Sequence, residues 1–194
     1  MKKIVILVSM LLLAGCRSNT PVPAAEPSAT PEPTPEITET VADMQGYGLL
    51  EDKDHVYRLT SVGEMVERAG HGDTFAVYFG YDTCPWCNEA VPILNDAAKA
   101  AGLTVGYVNI YPHDGEPEFD YDRLIEVYED QFPKDEDGEP KVTVPFVFFF
   151  RDGDLVMKYD GTVSGHNANE RRMTAEEKEQ LYHSYEEGFA LMTK

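Results

Sequence analysis

Polar and apolar residues alternate in His55-Val56-Tyr57-Arg58-Leu59-Thr60, the period of a half-buried strand, and Ser61 then stands as the N-cap of a short helix ending near Gly70. Phe75-Ala76-Val77-Tyr78-Phe79 is a continuous apolar run of strand length, which predicts a central strand buried on both faces. Over 85–101, Ala90, Ile93, Leu94, Ala97, Ala98 and Ala101 recur at helical spacing, and Pro92 within them predicts a kink rather than an end. Gly102 closes that helix, and 103–110 reads as the next strand. The order strand, helix, strand, helix, strand favours parallel pairing through right-handed crossovers.

The pattern changes at 111–141, which is acidic and turn-rich and holds one helical passage over 121–132, with Leu124, Ile125, Tyr128 and Phe132 on a shared face. It reads as an insertion, for the most part a solvated excursion; a surface that sets partner choice is the alternative. Residues 144–150 then form a strand, Asp152-Gly153 a two-residue hairpin turn, and 155–159 its partner, ended by Gly161. Thr174 with Glu177 three residues on is a capping-box pattern. It opens a terminal helix whose Leu181, Tyr185, Phe189 and Met192 lie on one stripe, suited to cover a sheet. No internal repeat, P-loop or dinucleotide-binding glycine pattern occurs.

The start of the chain has a different character. Met1-Lys2-Lys3 precedes an apolar stretch over 4–14 broken only by Ser9, which is too short for the roughly 20 residues of a bilayer span and reads as an export signal over 1–15. Leu13-Ala14-Gly15-Cys16 resembles the bacterial lipobox, and the resemblance implies that Cys16 becomes the first mature residue with lipid on its sulfur. An ordinary signal peptide cleaved nearby is the alternative, leaving Cys16 lost or idle. Residues 16–43, with prolines at 21, 23, 27, 31, 33 and 35, carry too little apolar surface to offset ordering entropy and read as a solvated linker. At about 3.1 Å per residue that linker reaches at most roughly 80 Å. What remains, 44–194, suits one globular domain.

Charge narrows the partners. Acidic residues number 35 against 16 Lys and Arg, a formal net charge of −19, and loss of Lys2 and Lys3 with the signal makes it more negative. Such a chain repels phosphate backbones and anionic headgroups, so nucleic acid is excluded and membrane attachment has to come from the lipid on Cys16. A monomer is expected.

The chain has three cysteines, and two of them stand in Cys84-Pro85-Trp86-Cys87, between the apolar run at 75–79 and a helix start. With Pro92 five residues after Cys87, and Val144-Pro145 ahead of a strand and hairpin, the element order resembles the thioredoxin family over roughly 55–110 and 142–192. The resemblance implies an α/β thioredoxin fold, a central mixed sheet flanked by helices, with the acidic helical insertion before the C-terminal hairpin. It also implies that Pro145, after Val144, is a cis-proline that faces the cysteines and presents backbone groups to a substrate chain. Two positions depart from the family. Tyr78 stands where many thioredoxins bury an acid, and Thr83 where many carry Trp.

A helix N-terminus gathers unpaired N–H groups and about half a positive charge, which favours a thiolate at Cys84 and lowers its pKa. Cys84 is then the nucleophile and Cys87, one turn inward and shielded, the resolving thiol. Pro85 suits the first helical turn. Trp86 is either an apolar contact surface beside an exposed Cys84 sulfur or a packing residue. Asp82 opposes the thiolate but is screened by water. With Tyr78 at the acid position, Glu89 and Asp82 are the nearby candidates for proton transfer with Cys87, and otherwise solvated surface acids. A structural disulfide is a weak reading for so small a loop. A zinc site needs about four ligands, and His55, His71, His113, His166 and His183 lie far from the pair in sequence; they read as surface or packing residues. An inert pair in a fold used for binding is the remaining alternative.

The function these residues imply is an extracytoplasmic, lipid-anchored thiol:disulfide oxidoreductase that acts on cysteine-containing exported proteins. It needs no cofactor or metal, and its direction is open, so it requires a membrane electron donor or acceptor. The rival is a non-catalytic thioredoxin-like adaptor lipoprotein that assists secretion or assembly of a partner.

Overall fold

A computed structural model describes residues 40–194 of the chain; the export signal, Cys16 and the linker up to residue 39 lie outside the described residues. Five strands and four α-helices alternate: β1 Tyr57–Leu59, α1 Val62–His71, β2 Phe75–Gly80, α2 Pro85–Ala101, β3 Val105–Asn109, α3 Tyr121–Tyr128, β4 Phe146–Arg151, β5 Asp154–Asp160 and α4 Ala175–Met192. They form a single sheet in the order β1-β3-β2-β4-β5. The β1–β3 and β3–β2 pairs are parallel, β2–β4 and β4–β5 antiparallel. This mixed sheet flanked by helices is the thioredoxin fold.

Local chemistry sets the boundaries. Ser61 caps α1 by accepting from Glu64 N, and Gly72 ends it at φ 82°, a conformation that a side chain disfavours. Thr174 and Glu177 exchange both bonds of the capping box at the start of α4. The strand expected from residue 144 begins at Phe146, because Pro145 has no N–H for the ladder; the Val144–Pro145 bond is cis. The helix expected to reach Phe132 ends at Tyr128 and continues as a 3-10 turn, Glu129–Gln131. Phe132 precedes Pro133 and is extended at φ −116°, ψ 136°, as a residue before proline prefers.

The strand pleat splits the core in two. Tyr57, Ala76, Tyr78, Tyr107, Val147 and Phe149 face α2 and α4, whereas Val77, Phe79, Phe146, Phe148 and Phe150 pack with Val62 and Met65 of α1 and Leu124 of α3. The acidic insertion is therefore more than a solvated excursion. Most of its residues are exposed, but Leu124 is fully buried and Phe132 stands edge-on to Phe146 at 5.5 Å.

The linker boundary expected at residue 43 moves. Thr40 O accepts from Leu59 N (2.7 Å) and Ala42 N donates to Tyr57 O (3.2 Å), so 40–42 pairs antiparallel with the outer edge of β1. Ala42, Met44, Tyr47 and Leu50 are all buried. An open strand edge offers unpaired backbone groups to any extended segment, and this one recruits the residues just upstream of it. No helix among the described residues is long and apolar enough to cross a membrane.

Helix α4 approaches β4 so closely that a Cβ at Gly188 would lie 2.5 Å from the Phe149 ring. Gly188→Val should cost about 1–3 kcal/mol through overpacking, although valine is the better helix former; the midpoint of urea unfolding measures it.

Candidate active site

At the C-terminal end of β2 the chain turns through Tyr81-Asp82-Thr83 into α2, a helix of 17 residues. Cys84 is its N-cap, extended at φ −75°, ψ 118°, and the Cys84 Sγ accepts the N–H of Cys87 at 3.1 Å. A sulfur thus fills the place where a hydroxyl or carboxylate commonly caps a helix. Cys84 and Cys87 are joined as a disulfide with their Cα atoms 5.1 Å apart. Pro85 takes the first turn, where its missing N–H has no partner to lose.

One detail corrects the expected picture: Cys84 is only 3 % exposed, so it is sheltered rather than open. Cys87, one turn inward, is fully buried. The exposed residues around the pair are Thr83 and Pro85. Trp86 is partly buried against the core cluster that contains the cysteines, as the packing reading expects.

The sheet register decides what else reaches this end. Phe79 lies opposite Phe146, so Pro145 falls beside Gly80, where the active-site loop departs. Val144, half-buried, packs against both cores, and Pro145 O accepts from Gly161 N at 2.7 Å. Gly80 also pairs with Asn109, which brings the residues after β3 to the same rim. There Tyr111 stands edge-on to Tyr81 at 4.7 Å, and His113 Nε2 lies 3.3 Å from Asp82 Oδ2. His113 is therefore a surface residue with a specific partner in the active-site loop.

Tyr78 does not replace the acid that many thioredoxins bury. It is fully buried, and burial, then the neighbouring Tyr185 and Tyr107, push its pKa far above the usual phenol range, so it stays protonated and is no base. Its hydroxyl occupies the space that a side chain at Gly80 would need. Tyr47 OH donates to Tyr107 OH at 3.2 Å, and Tyr57 OH donates to Val91 O at 2.7 Å. Gly46 backs directly onto the Asp82 side chain, so the segment after residue 40 reaches the active-site loop.

Glu89 is not a solvated surface acid. It is 3 % exposed, accepts from Met173 N at 3.3 Å through Oε2, and pairs through Oε1 with Arg172 Nε. Its position in the sequence carried a signal, since four residues separate Glu89 from Ile93 and eight from Ala97, all on the buried side of α2. Asn88 escaped sequence reasoning altogether. Its Nδ2 donates to Cys84 O at 3.2 Å and to Asp82 O, which ties the loop to the first turn of the helix. Among the described residues no cluster of three or more His, Cys, Asp or Glu could hold a metal ion.

Two sulfurs at a helix N-terminus, beside a cis-proline strand end, can pass between disulfide and dithiol. Neither a family model nor a curated protein matches the chain. Among solved structures, oxidised thioredoxin O2 from Arabidopsis thaliana is similar to it at 16 % identity, covering 66 % of this chain and 96 % of that one, with a TM-score of 0.37.

Asn88→Ala should lower stability by about 1–2 kcal/mol, because two loop carbonyls lose their shared donor. Thermal unfolding of the oxidised protein measures the loss.

Proposed function

We propose that this protein is a thiol:disulfide oxidoreductase of exported proteins, held at the outer face of a membrane by lipid on Cys16. The observation that carries the reading is Cys84 at the N-cap of α2, where its sulfur already accepts a backbone N–H from Cys87. In the reduced state the same N–H and the partial positive charge of the helix start stabilise a thiolate there.

In the reducing direction, Cys84 thiolate attacks one sulfur of a substrate disulfide. A Cys84–substrate disulfide forms, and the released substrate thiolate takes a proton from water. Cys87 then loses its proton and attacks the Cys84 sulfur, which reforms the Cys84–Cys87 bond and frees the second substrate thiolate. Two electrons pass from protein to substrate. A membrane electron donor has to restore the dithiol; the reverse sequence oxidises a substrate dithiol and needs an acceptor instead. In this reading the Val144–Pro145 segment, at the strand end beside Gly80, meets the substrate chain through its backbone, with Val144 and the half-buried Trp86 as apolar contacts.

The shelter around Cys84 bears on access. A cysteine only 3 % exposed has to be reached by an extended substrate segment rather than by a folded surface. The reading therefore favours unfolded or locally open cysteine-containing chains, as newly exported proteins are.

Cys84→Ser should abolish reduction of insulin disulfides, and Cys87→Ser should accumulate mixed disulfides visible on a non-reducing gel; unchanged insulin reduction by Cys84→Ser would sink the enzyme reading and leave the adaptor. Cys16→Ser should move the protein from the membrane pellet to the soluble fraction, and retention in the pellet would overturn the lipid anchor.

A further inference from the structure

The active-site helix carries a buried charge that thiol exchange does not itself use. Glu89 is two residues beyond Cys87, about 3 Å further along the helix axis and roughly 200° around it, so the two side chains leave different faces and an influence of one on the other acts through the field, not by contact. Burial of a carboxylate is costly unless it is paired and its lone pairs are hydrogen-bonded. Both of its oxygens are engaged: Oε1 by Arg172 Nε and Oε2 by the N–H of Met173. Arg172 itself keeps 59 % of its side chain in solvent.

Both partners belong to one segment, 161–173, between β5 and α4. Its first residue, Gly161, donates to Pro145 O, and its last two hold Glu89. His166, 8 % exposed, closes the segment on itself. The carbonyl of Arg171 can only accept, so His166 Nε2 carries the proton and donates to it at 3.1 Å, while Nδ1 accepts from Thr162 Oγ1 at 2.9 Å. Val163 and Met173 enter the same core cluster as Cys84 and Cys87. The segment is thus a brace from the cis-proline to the cysteine helix, fastened to that helix by one carboxylate.

Other charges near the pair are accounted for. Asp82 faces His113, Arg171 is engaged by both oxygens of Glu177, and Tyr78 stays neutral. Among the described residues two ion pairs tie the cysteine helix to other segments: Lys99–Asp52 near its C-terminal end, and Glu89–Arg172 in its second turn, the one closer to the cysteines.

We propose that the Glu89–Arg172 ion pair is a positioning pair that sets the balance between dithiol and disulfide at Cys84/Cys87. This rests on the redox reading above. A carboxylate held in a dry core repels a nearby thiolate with little screening, and the guanidinium beside it cancels most of that field. Loss of the negative member favours the thiolate and the reduced state, giving a more oxidising couple. Loss of the positive member does the reverse. A merely structural brace has no such antisymmetry, because loosening it from either side has the same consequence.

The test equilibrates the full chain with reduced and oxidised glutathione at about pH 8, above the ordinary carboxylate range. Two glutathione thiols reduce one Cys84–Cys87 disulfide and leave one glutathione disulfide. Wild type, Glu89→Gln, Arg172→Gln and the double variant are compared, with the thiol pKa of each read from thiolate ultraviolet absorbance. Glu89→Gln should shift the equilibrium roughly three- to tenfold toward the dithiol, half to one pKa unit, and lower the thiol pKa. Arg172→Gln should shift both the other way, and the double variant should return near wild type. Shifts in the same direction, or no shift, would overturn the proposal. Glutamine keeps an oxygen for Met173 N–H; should Glu89→Gln nevertheless fail to fold, Arg172→Gln compared with the charge-keeping Arg172→Lys decides the matter, because the lysine variant should stay near wild type, and an equal shift in both would overturn the proposal. A wild-type disulfide that does not exchange with glutathione would instead bring down the redox reading itself.

Discussion

The antiparallel pairing of β2 with β4, with Phe79 opposite Phe146, is the constraint on which the site depends. It brings the departing active-site loop and the cis Val144–Pro145 bond to one end of the sheet. The pairing is secured from both faces. Phe79 stacks on Phe146 at 4.3 Å and Phe75 on Phe150 at 4.5 Å over one face, while Tyr78 and Phe149 enter the opposite core. Aromatic cross-strand pairs of this kind add stability beyond the area they bury. A one-residue slip would turn every one of them to the wrong face and carry Pro145 away from Gly80.

The tyrosines give the core on the α2 side its distinctive cost. Tyr57, Tyr78, Tyr107 and Tyr185 are buried together, and each hydroxyl has to find a partner or go without. Tyr57 finds a helix carbonyl and Tyr107 finds Tyr47, whereas Tyr185 OH has no partner among the described residues. Phenylalanine would fill most of that volume at lower cost, so this face of the sheet keeps polarity close beneath the disulfide. With Tyr78 held neutral, the central strand places no charge beneath the cysteines; the charged pairs around them draw on α2, on the loops at this rim and on the segment between β5 and α4.

Much of this was legible in the sequence because the signals were periodic or local. The apolar run at 75–79, the helical spacing over 85–101, the Asp152-Gly153 turn and the Thr174–Glu177 capping box each specify their element within a few residues of chain. What escaped reading depends on distant partners. Asp82 and His113 are joined only because Gly80 pairs with Asn109, and the spacing that puts Glu89 on the buried side of α2 says nothing of its partners, Arg172 and Met173, which arrive from the far side of β5. Residues 40–42, Thr-Val-Ala, are too short a run to read as a strand, and only the open edge of β1 gives them a place in the fold.

That last attachment has a mechanical meaning. If the chain upstream is tethered, a pull on it meets first the two backbone bonds between 40–42 and β1, and next the buried Tyr47 and the Gly46 seated on Asp82. Those two bonds at the sheet edge, with the buried Ala42, are the first contacts such a pull would load. A greater load would reach Asp82 through Gly46, so tension on such a tether and the shape of the loop before Cys84 would share one lever.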